Sequence, residues 1–186
     1  MDWFEAKIPG ADLEVLVEET DIIGLFTPLY VDTLPYPVIR FLEELADNHA
    51  PALAGKRFFV ISGCGFPDLS LFEPLFGSCR CFARATGMTW LGGMGYVGAP
   101  MLDGKMPEDL GRRGKSIIAG LREALDAVLD GRMVPETAQK AFALVIPRFL
   151  FRPLAWYLNR ASRKNAARAG TDIHAAPYSG RERSSR

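Results

Sequence analysis

Apolar residues follow two different spacings along the first 130 positions of the chain. Short continuous apolar runs, which are typical of strands buried on both faces of a parallel sheet, occupy residues 22–26 and 58–61, and strands are predicted over residues 22–26, 56–62 and 88–97. Segments with an apolar residue at every third or fourth position, which are typical of amphipathic helices, occupy residues 37–47, 70–86 and 116–129. The order strand, loop, helix, strand, loop predicts an α/β protein with a parallel sheet. The loops after the strands then meet at one edge of the sheet, where such proteins bind ligands.

The remaining segments carry weaker patterns. A short helix is predicted over residues 12–19 and a loop with turn signals over residues 103–114. Residues 136–169 are apolar and then basic, with interruptions at Pro147 and Pro153. We therefore predict a partial α/β domain, a C-terminal helical segment and a disordered basic tail, at residues 1–134, 135–169 and 170–186.

The composition fits one globular domain whose charge is unevenly distributed. The 186 residues are 48% hydrophobic and 24% charged, with a formal net charge of zero, which are ordinary values for a globular protein. From Arg148 onward there are nine Arg or Lys and two acidic residues, a net charge of +7, so the preceding part carries −7. Residues 142–158 are rich in apolar side chains, but Arg148, Arg152 and two prolines interrupt them, so a membrane-spanning helix is not predicted. This segment either packs on its own domain or lies on a membrane surface or a partner.

The three cysteines predict reduced thiols and a cytoplasmic location, because they are odd in number and lie in apolar surroundings. Cys79 and Cys81 are two positions apart in a predicted helix, so their side chains diverge, and no metal site is predicted. Cys64 is interpreted as a small packed residue rather than a redox thiol. No side chain, including His49 and His174, is assigned as a catalytic acid or base.

Two loops after successive strands are the candidate binding residues. The first reads TPLYVDTLP from Thr27 and the second reads GCGFPD from Gly63. A flat aromatic cofactor needs backbone amides, a stiff loop and an apolar or aromatic cover, which residues 27–30 provide. In the second loop the glycines allow a close approach of the backbone, and Phe66 can stack on a ring. The alternative is that both loops are ordinary connections from a strand to a helix.

The sequence resembles a known family at these loops. PLYVDTLP, the GFP that follows a strand, and CFARATGMTWLGGMGYVGAPML are similar to flavodoxin-like NAD(P)H-dependent FMN reductases over residues 21–130. The resemblance implies a flavodoxin-like three-layer sandwich with a parallel sheet and C-terminal helices. It also implies FMN and NAD(P)H as cofactors. The residues implied to contact the isoalloxazine ring are Pro28, Leu29, Tyr30, Val31 and Asp32 in the first loop and Gly63, Cys64, Gly65 and Phe66 in the second, with Thr27 added from the composition of the first loop.

The chain departs from that family at its N-terminus. Such proteins open with a strand and a Ser/Thr/Gly/Asn-rich loop that holds the FMN phosphate at a helix N-terminus. Residues 1–19 contain one glycine and no Ser or Asn. We therefore expect the first two strands, the phosphate loop and the first helix to be missing, with strand 22–26 left at an exposed edge of the sheet. The chain would then be a truncated gene product, a fragment, or a protein that takes the missing half from a partner.

The resemblance implies an FMN-dependent oxidoreductase that uses NAD(P)H to reduce a small acceptor such as a quinone. Because the phosphate loop is missing, we expect weak or no FMN binding by this chain. The exposed edge predicts a homo-oligomer, and the basic C-terminal segment predicts a peripheral membrane contact. No nucleic-acid partner is predicted. The alternative function is a non-catalytic flavodoxin-like remnant that binds a protein or a membrane surface.

Overall fold

A three-stranded parallel sheet with helices on both faces forms the larger part of the fold. The computed structural model describes residues 19–99, 105–143 and 147–171. The strands are β1 (Ile22–Pro28), β2 (Arg57–Gly63) and β3 (Thr89–Tyr96), in the order β1-β2-β3. The helices are α1 (Tyr36–Leu53), α2 (Glu73–Ala85), α3 (Gly111–Leu129), α4 (Glu136–Phe142) and α5 (Phe151–Arg168). The predicted α/β class is confirmed, and the architecture is consistent with a flavodoxin-like fold.

Helices α1 and α2 cover one face of the sheet. Phe58 and Val60 of β2 point to this face, where they form a core with Leu42, Leu45 and Leu75 of the two helices. Two glycines of β3 let α2 approach closely: a Cβ on Gly93 would lie 2.4 Å from the Phe76 ring, and one on Gly95 would lie 2.4 Å from the Phe72 ring. The rings of Phe72 and Phe76 stack on each other.

Helices α3 and α4 cover β2 and β3 on the opposite face. Met94, Tyr96, Ile117 and Phe142 form the core there, and the rings of Tyr96 and Phe142 meet edge to face at 5.5 Å. The two helices cross at Gly120, where a Cβ would lie 2.7 Å from the Ala138 carbonyl oxygen and 2.8 Å from the Phe142 nitrogen.

The two edges of the sheet differ. At β3 the Gln139 side chain accepts a hydrogen bond from the Gly95 N–H (2.8 Å) and donates one to the Gly95 carbonyl (2.9 Å). The Val134 N–H also donates to the Leu91 carbonyl. At β1 the pairing with β2 uses alternate residues, so the N–H and C=O of Ile22, Gly24 and Phe26 point away from the sheet. No strand in the described part of the chain pairs with that edge.

At β1 the first face is partly covered, since Ile23 and Leu25 are half-buried against the core, and the second face is more open. By register, Ile22, Gly24 and Phe26 lie on the same face as Phe59 and Ile61 of β2. The Phe26 side chain is 67% exposed and touches Phe59 edge to face, with ring centroids 6.1 Å apart. The expectation that the strand at 22–26 lies at an edge of the sheet therefore holds within the described residues.

Most element boundaries shift by a few residues from the predicted ones, and two shift further. Helix α1 continues past the predicted end at residue 47 to Leu53, which is fully buried. The prediction of a loop over 103–114 is wrong in its second half, since a 3-10 turn occupies Pro107–Leu110 and α3 begins at Gly111. Arg113 explains the difference, because it donates to the Phe142 carbonyl at the end of α4, a contact with no local signal. The predicted helix over 12–19 lies outside the described residues, except for Glu19.

The chain divides into two compact units after Val145. The sequence-based division between residues 134 and 135 places α4 with the C-terminal segment, whereas α4 packs on α3 and β3 of the first unit. In the second unit a 3-10 turn, Arg148–Leu150, leads into α5. Pro153 lies in the first turn of α5, where backbone N–H groups have no partner within the helix, so the N–H that proline lacks costs no helical hydrogen bond. None of the described helices is both long enough and apolar enough to cross a membrane.

Candidate functional site

The candidate site lies at the edge of the sheet where β1 and β2 end. Thr27 and Pro28 end β1 opposite Ser62 and Gly63 of β2. The Leu29 N–H then donates to the Gly63 carbonyl (2.9 Å), so the first loop remains joined to the second strand beyond the end of β1. The two predicted loops therefore begin side by side on adjacent parallel strands.

The first loop is a tight hairpin turn with an unusual composition. Tyr30 and Thr33 exchange two backbone hydrogen bonds, at 2.9 and 3.2 Å, around Val31 and Asp32. Both central residues have positive φ, 50° at Val31 and 60° at Asp32, as in a type I′ turn. Asn and Gly are the residues that favour this geometry, and a β-branched Val in the left-handed region is strained. Such strain persists where the surroundings impose it, and it often marks a functional loop.

The second loop is fixed on both sides. The Cys64 N–H donates to the Tyr96 carbonyl, and the Ala99 N–H donates to the Cys64 carbonyl, both at 2.9 Å. The Gly98 N–H donates to the Phe66 carbonyl. At the end of the loop Asp68 caps the 3-10 turn Leu69–Phe72 that precedes α2, and its carboxylate accepts bonds from the N–H and the hydroxyl of Ser70. Phe66 is thus presented on an anchored backbone.

Cys64 is a packed, protonated thiol. It is 6% exposed, and its Sγ donates to the Phe66 carbonyl at 3.2 Å. Burial is the main cause that raises the pKa of the Cys64 thiol, and the carboxylates of Asp32 and Asp68 add to this rise. A raised pKa disfavours the thiolate, which is the reactive form. The interpretation of Cys64 as a packed residue is supported.

The predicted residues separate into buried and exposed groups. Thr27 and Cys64 are buried, Leu29 and Gly63 are half-buried, and the Thr27 hydroxyl donates to the Pro28 carbonyl. The exposed residues are Pro28, Tyr30, Val31, Asp32, Gly65 and Phe66. Tyr30 is 67% exposed and Phe66 is 69% exposed, so two aromatic rings are available at this edge. Because both residues follow strand ends in successive strand-helix units, we predict that the two rings line one pocket.

An apolar cleft beside the second loop was missed at the level of sequence. It has a volume of about 310 Å³, which is in the range of small-ligand sites. Its lining includes Gly63, Tyr96 and Phe142, together with Ile117 and Leu121 of α3. Tyr96 lies in the sequence GMGYVG, and the pattern there predicts only that Tyr96 belongs to a strand. Phe142 comes from α4 and carries no local motif, so only the fold brings it to Gly63.

The two loops suit the ring of a flavin better than its phosphate. Exposed aromatic side chains and a stiff turn provide the kind of surface on which a flat ring packs. A phosphate needs free amides or cations, but Pro35 and Pro37 at the start of α1 have no N–H. Asp32 and Asp68 add negative charge to the same region. Among residues 19–99, 105–143 and 147–171, these loops supply no phosphate cradle.

Comparisons with known proteins give similarity at the level of the fold. No protein-family model and no curated protein matches the chain. It is similar to the general stress protein 14 of Treponema denticola in complex with FMN (16% identity, 64% of this chain and 78% of that one, TM-score 0.47). It is also similar to the Trp repressor binding protein of Bacillus subtilis (18% identity, 46% and 60%, TM-score 0.42). A third similar structure is an NADPH-quinone reductase from P. pentosaceus (22% identity, 54% and 66%, TM-score 0.40). The match to the Bacillus protein spans 60% of its length.

Proposed function

We propose that this chain is a flavin-dependent oxidoreductase that holds the isoalloxazine ring of FMN at the ends of β1 and β2. The observation that supports this proposal most strongly is the pair of loops joined by the Leu29–Gly63 hydrogen bond. They present Tyr30 and Phe66 as exposed rings on backbones that are fixed by hydrogen bonds. Bound FMN would accept a hydride from NAD(P)H and pass two electrons to a small acceptor such as a quinone.

The residues of the chain have positioning roles in this proposal. The Val31–Asp32 turn holds the backbone of Tyr30 through its two hydrogen bonds with Thr33. The bonds from Cys64 to Tyr96 and from Ala99 to Cys64 hold the base of the second loop. Gly63 and Gly65 have no side chain to keep a ring away from the backbone. No side chain in either loop is needed as an acid or a base.

The apolar cleft at Gly63 is where the proposal places the ring of the acceptor. Its walls are Tyr96, Phe142 and aliphatic side chains of α3, and it shares Gly63 with the second loop. A quinone is a flat and mostly apolar molecule, so burial in such a cleft is favoured by roughly 25 cal/mol per Å² of apolar surface removed from water. Polar acceptors would gain less there.

Titration with two flavins tests the proposal. The purified chain is mixed with FMN and, separately, with riboflavin, and binding is followed by quenching of flavin fluorescence. Because the loops contact the ring and not the phosphate, we expect weak binding with similar affinity for both flavins. Replacing Tyr30 by Ala should weaken binding by about 1 to 3 kcal/mol, the scale of one lost aromatic contact. Tyr157→Ala removes an equally exposed ring from α5 and serves as the matched control.

The outcomes separate the candidate functions. Binding of both flavins that is weakened by Tyr30→Ala and not by Tyr157→Ala supports the ring site. Stoichiometric FMN in the purified monomer, with much weaker riboflavin binding, would show that a phosphate site exists outside the two loops. No binding of either flavin would contradict the oxidoreductase and favour the non-catalytic interaction module.

A further inference from the structure

Helix α5 has no buried residue. It runs over Phe151–Arg168, 18 residues or about 27 Å at 1.5 Å per residue. Most helices in proteins are stabilised by packing an apolar face against the rest of the fold. In the described part of the chain every side chain of α5 is exposed or half-exposed. The helix therefore has a face that its own unit does not cover.

The side chains of α5 separate into two faces. At 100° per residue, Phe151, Leu154 and Leu158 lie along one side of the helix. Arg152, Arg160, Arg163 and Lys164 lie along the other side together with Trp156, and Tyr157 lies at the boundary between the two sides. The Arg160 guanidinium lies 5.9 Å from the centre of the Trp156 ring. The helix carries five basic residues, Arg168 included, and no acidic residue, in a chain whose net charge is zero.

We propose that α5 docks this chain on the surface of an anionic phospholipid bilayer. The charge complementarity is direct, because all five charged residues of the helix are positive and each basic side chain near an anionic surface contributes to binding. The exposed aromatic residues favour lipid over nucleic acid. Trp156 is 66% exposed and Tyr157 is 62% exposed, and rings of this kind settle at the boundary between headgroups and acyl chains.

A basic notch on the same helix fits a lipid phosphate. It is a concavity of about 510 Å³ lined by Trp156, Asn159, Arg160, Arg163 and Lys164. Guanidinium groups bind phosphate oxygens in a bidentate manner, which adds direction to the charge attraction. Leu158 and Phe149, 51% and 77% exposed, add apolar surface for the acyl boundary. The helix would lie in the interface and not cross it.

Vesicle co-sedimentation of the full chain tests the proposal. Vesicles of phosphatidylcholine alone are compared with vesicles that also contain phosphatidylserine, at low and at high salt. The test variant reverses three charges, Arg160→Glu, Arg163→Glu and Lys164→Glu. The matched control reverses three exposed charges of the first unit, Arg80→Glu, Arg84→Glu and Arg112→Glu, so both variants change the net charge equally. Far-UV circular dichroism checks that each variant retains its helix content.

We expect binding only to the anionic vesicles, and only at low salt, because screening shortens the range of attraction to about 3 Å at 1 M. The α5 reversal should lower the partition coefficient at least about a hundredfold, and the control reversal should leave it within a few fold. A second variant, Trp156→Ala with Leu158→Ala, should weaken binding to lipid and not to a short DNA duplex. Binding indifferent to lipid charge, equal loss in the control, or tighter binding to the duplex would each overturn the proposal.

Discussion

The crossing of α3 and α4 at Gly120 makes a sharp prediction about stability. The ideal Cβ of an alanine there would lie 2.7 Å from the Ala138 oxygen and 2.8 Å from the Phe142 nitrogen. Both neighbours are backbone atoms, so no side chain can rotate away, and the contact is about 0.7 Å shorter than ordinary van der Waals distance. Helix α4 is also held against α3 by the Ser116 hydroxyl, which donates to the Ala141 carbonyl at 2.8 Å.

The same substitution in another helix supplies the control. Gly77 lies in α2, and apart from its chain neighbours and the nearby backbone of the same helix nothing lies within 4 Å of its ideal Cβ. Gly77→Ala should therefore stabilise the chain by about 0.5 to 1 kcal/mol, the gain in helix propensity. Gly120→Ala has the same gain but must separate two helices, and overpacking of this kind costs about 1 to 3 kcal/mol. The expected net effect at Gly120 is a destabilisation of about 1 to 2 kcal/mol.

Thermal unfolding followed by circular dichroism measures both variants. A loss of about 1 to 2 kcal/mol corresponds to a fall in Tm of about 2 to 8 °C for a chain of this size. Gly77→Ala should raise the Tm instead. If Gly120→Ala were as stabilising as Gly77→Ala, the close approach of α3 and α4 would not exist in solution. The hydrogen bonds between Gln139 of α4 and Gly95 of β3 require the same position of α4, so that result would count against them as well.

Three further predictions concern the site and its surroundings. Asn and Gly are the residues that a type I′ turn prefers, so replacing Val31 by Asn and Asp32 by Gly should stabilise the chain by about 1 kcal/mol. Urea unfolding measures this change, and an unchanged midpoint would show that the turn is not strained. In labelling with a thiol reagent at neutral pH, exposed Cys81 should react first and buried Cys64 and Cys79 slowly, and three equal rates would contradict the burial. Burial raises the pKa of the Cys79 thiol from 9.0 to about 12. The stability that the protonated thiol contributes is therefore fully present below pH 9 and is lost as the pH rises towards 12. Unfolding of Cys79→Ala measured over that pH window should show a smaller loss of stability.

The sequence predicted the elements that local pattern determines. Apolar runs at residues 22–26 and 58–61 located the first two strands, although β1 proves to be an edge strand with one face open. The helical spacing over residues 70–86 predicts that Phe72, Leu75, Phe76, Cys79 and Ala83 point inward; Phe76 is half-buried and the other four are buried. The divergence of Cys79 and Cys81 is also confirmed, since one is buried and the other exposed. These features depend on spacings of two to four residues.

Features set by distant contacts were not predictable in the same way. The Val31–Asp32 turn lacks the Asn-Gly signature, so its positive φ values have no local signal. Gln139 reaches Gly95 across 44 positions of the chain, and no pattern near either residue indicates the pairing. The cleft beside Gly63 needs Phe142 from α4. In each case tertiary packing determines the feature, and the local pattern of a single sequence does not reveal that packing.

The two edges of the sheet differ, and this difference determines at how many edges a further strand can pair. At β3 both hydrogen-bonding groups of Gly95 are already used by the Gln139 amide, so that side cannot template another strand. At β1 the outward groups of Ile22, Gly24 and Phe26 face no strand of the described residues, and the strand carries no charged residue to discourage pairing. Two copies joined antiparallel at β1 would match Gly24 with Gly24 and place Ile22 opposite Phe26. In the described part of the chain β1 is the edge left open, so two copies joined there would leave no such edge for a third.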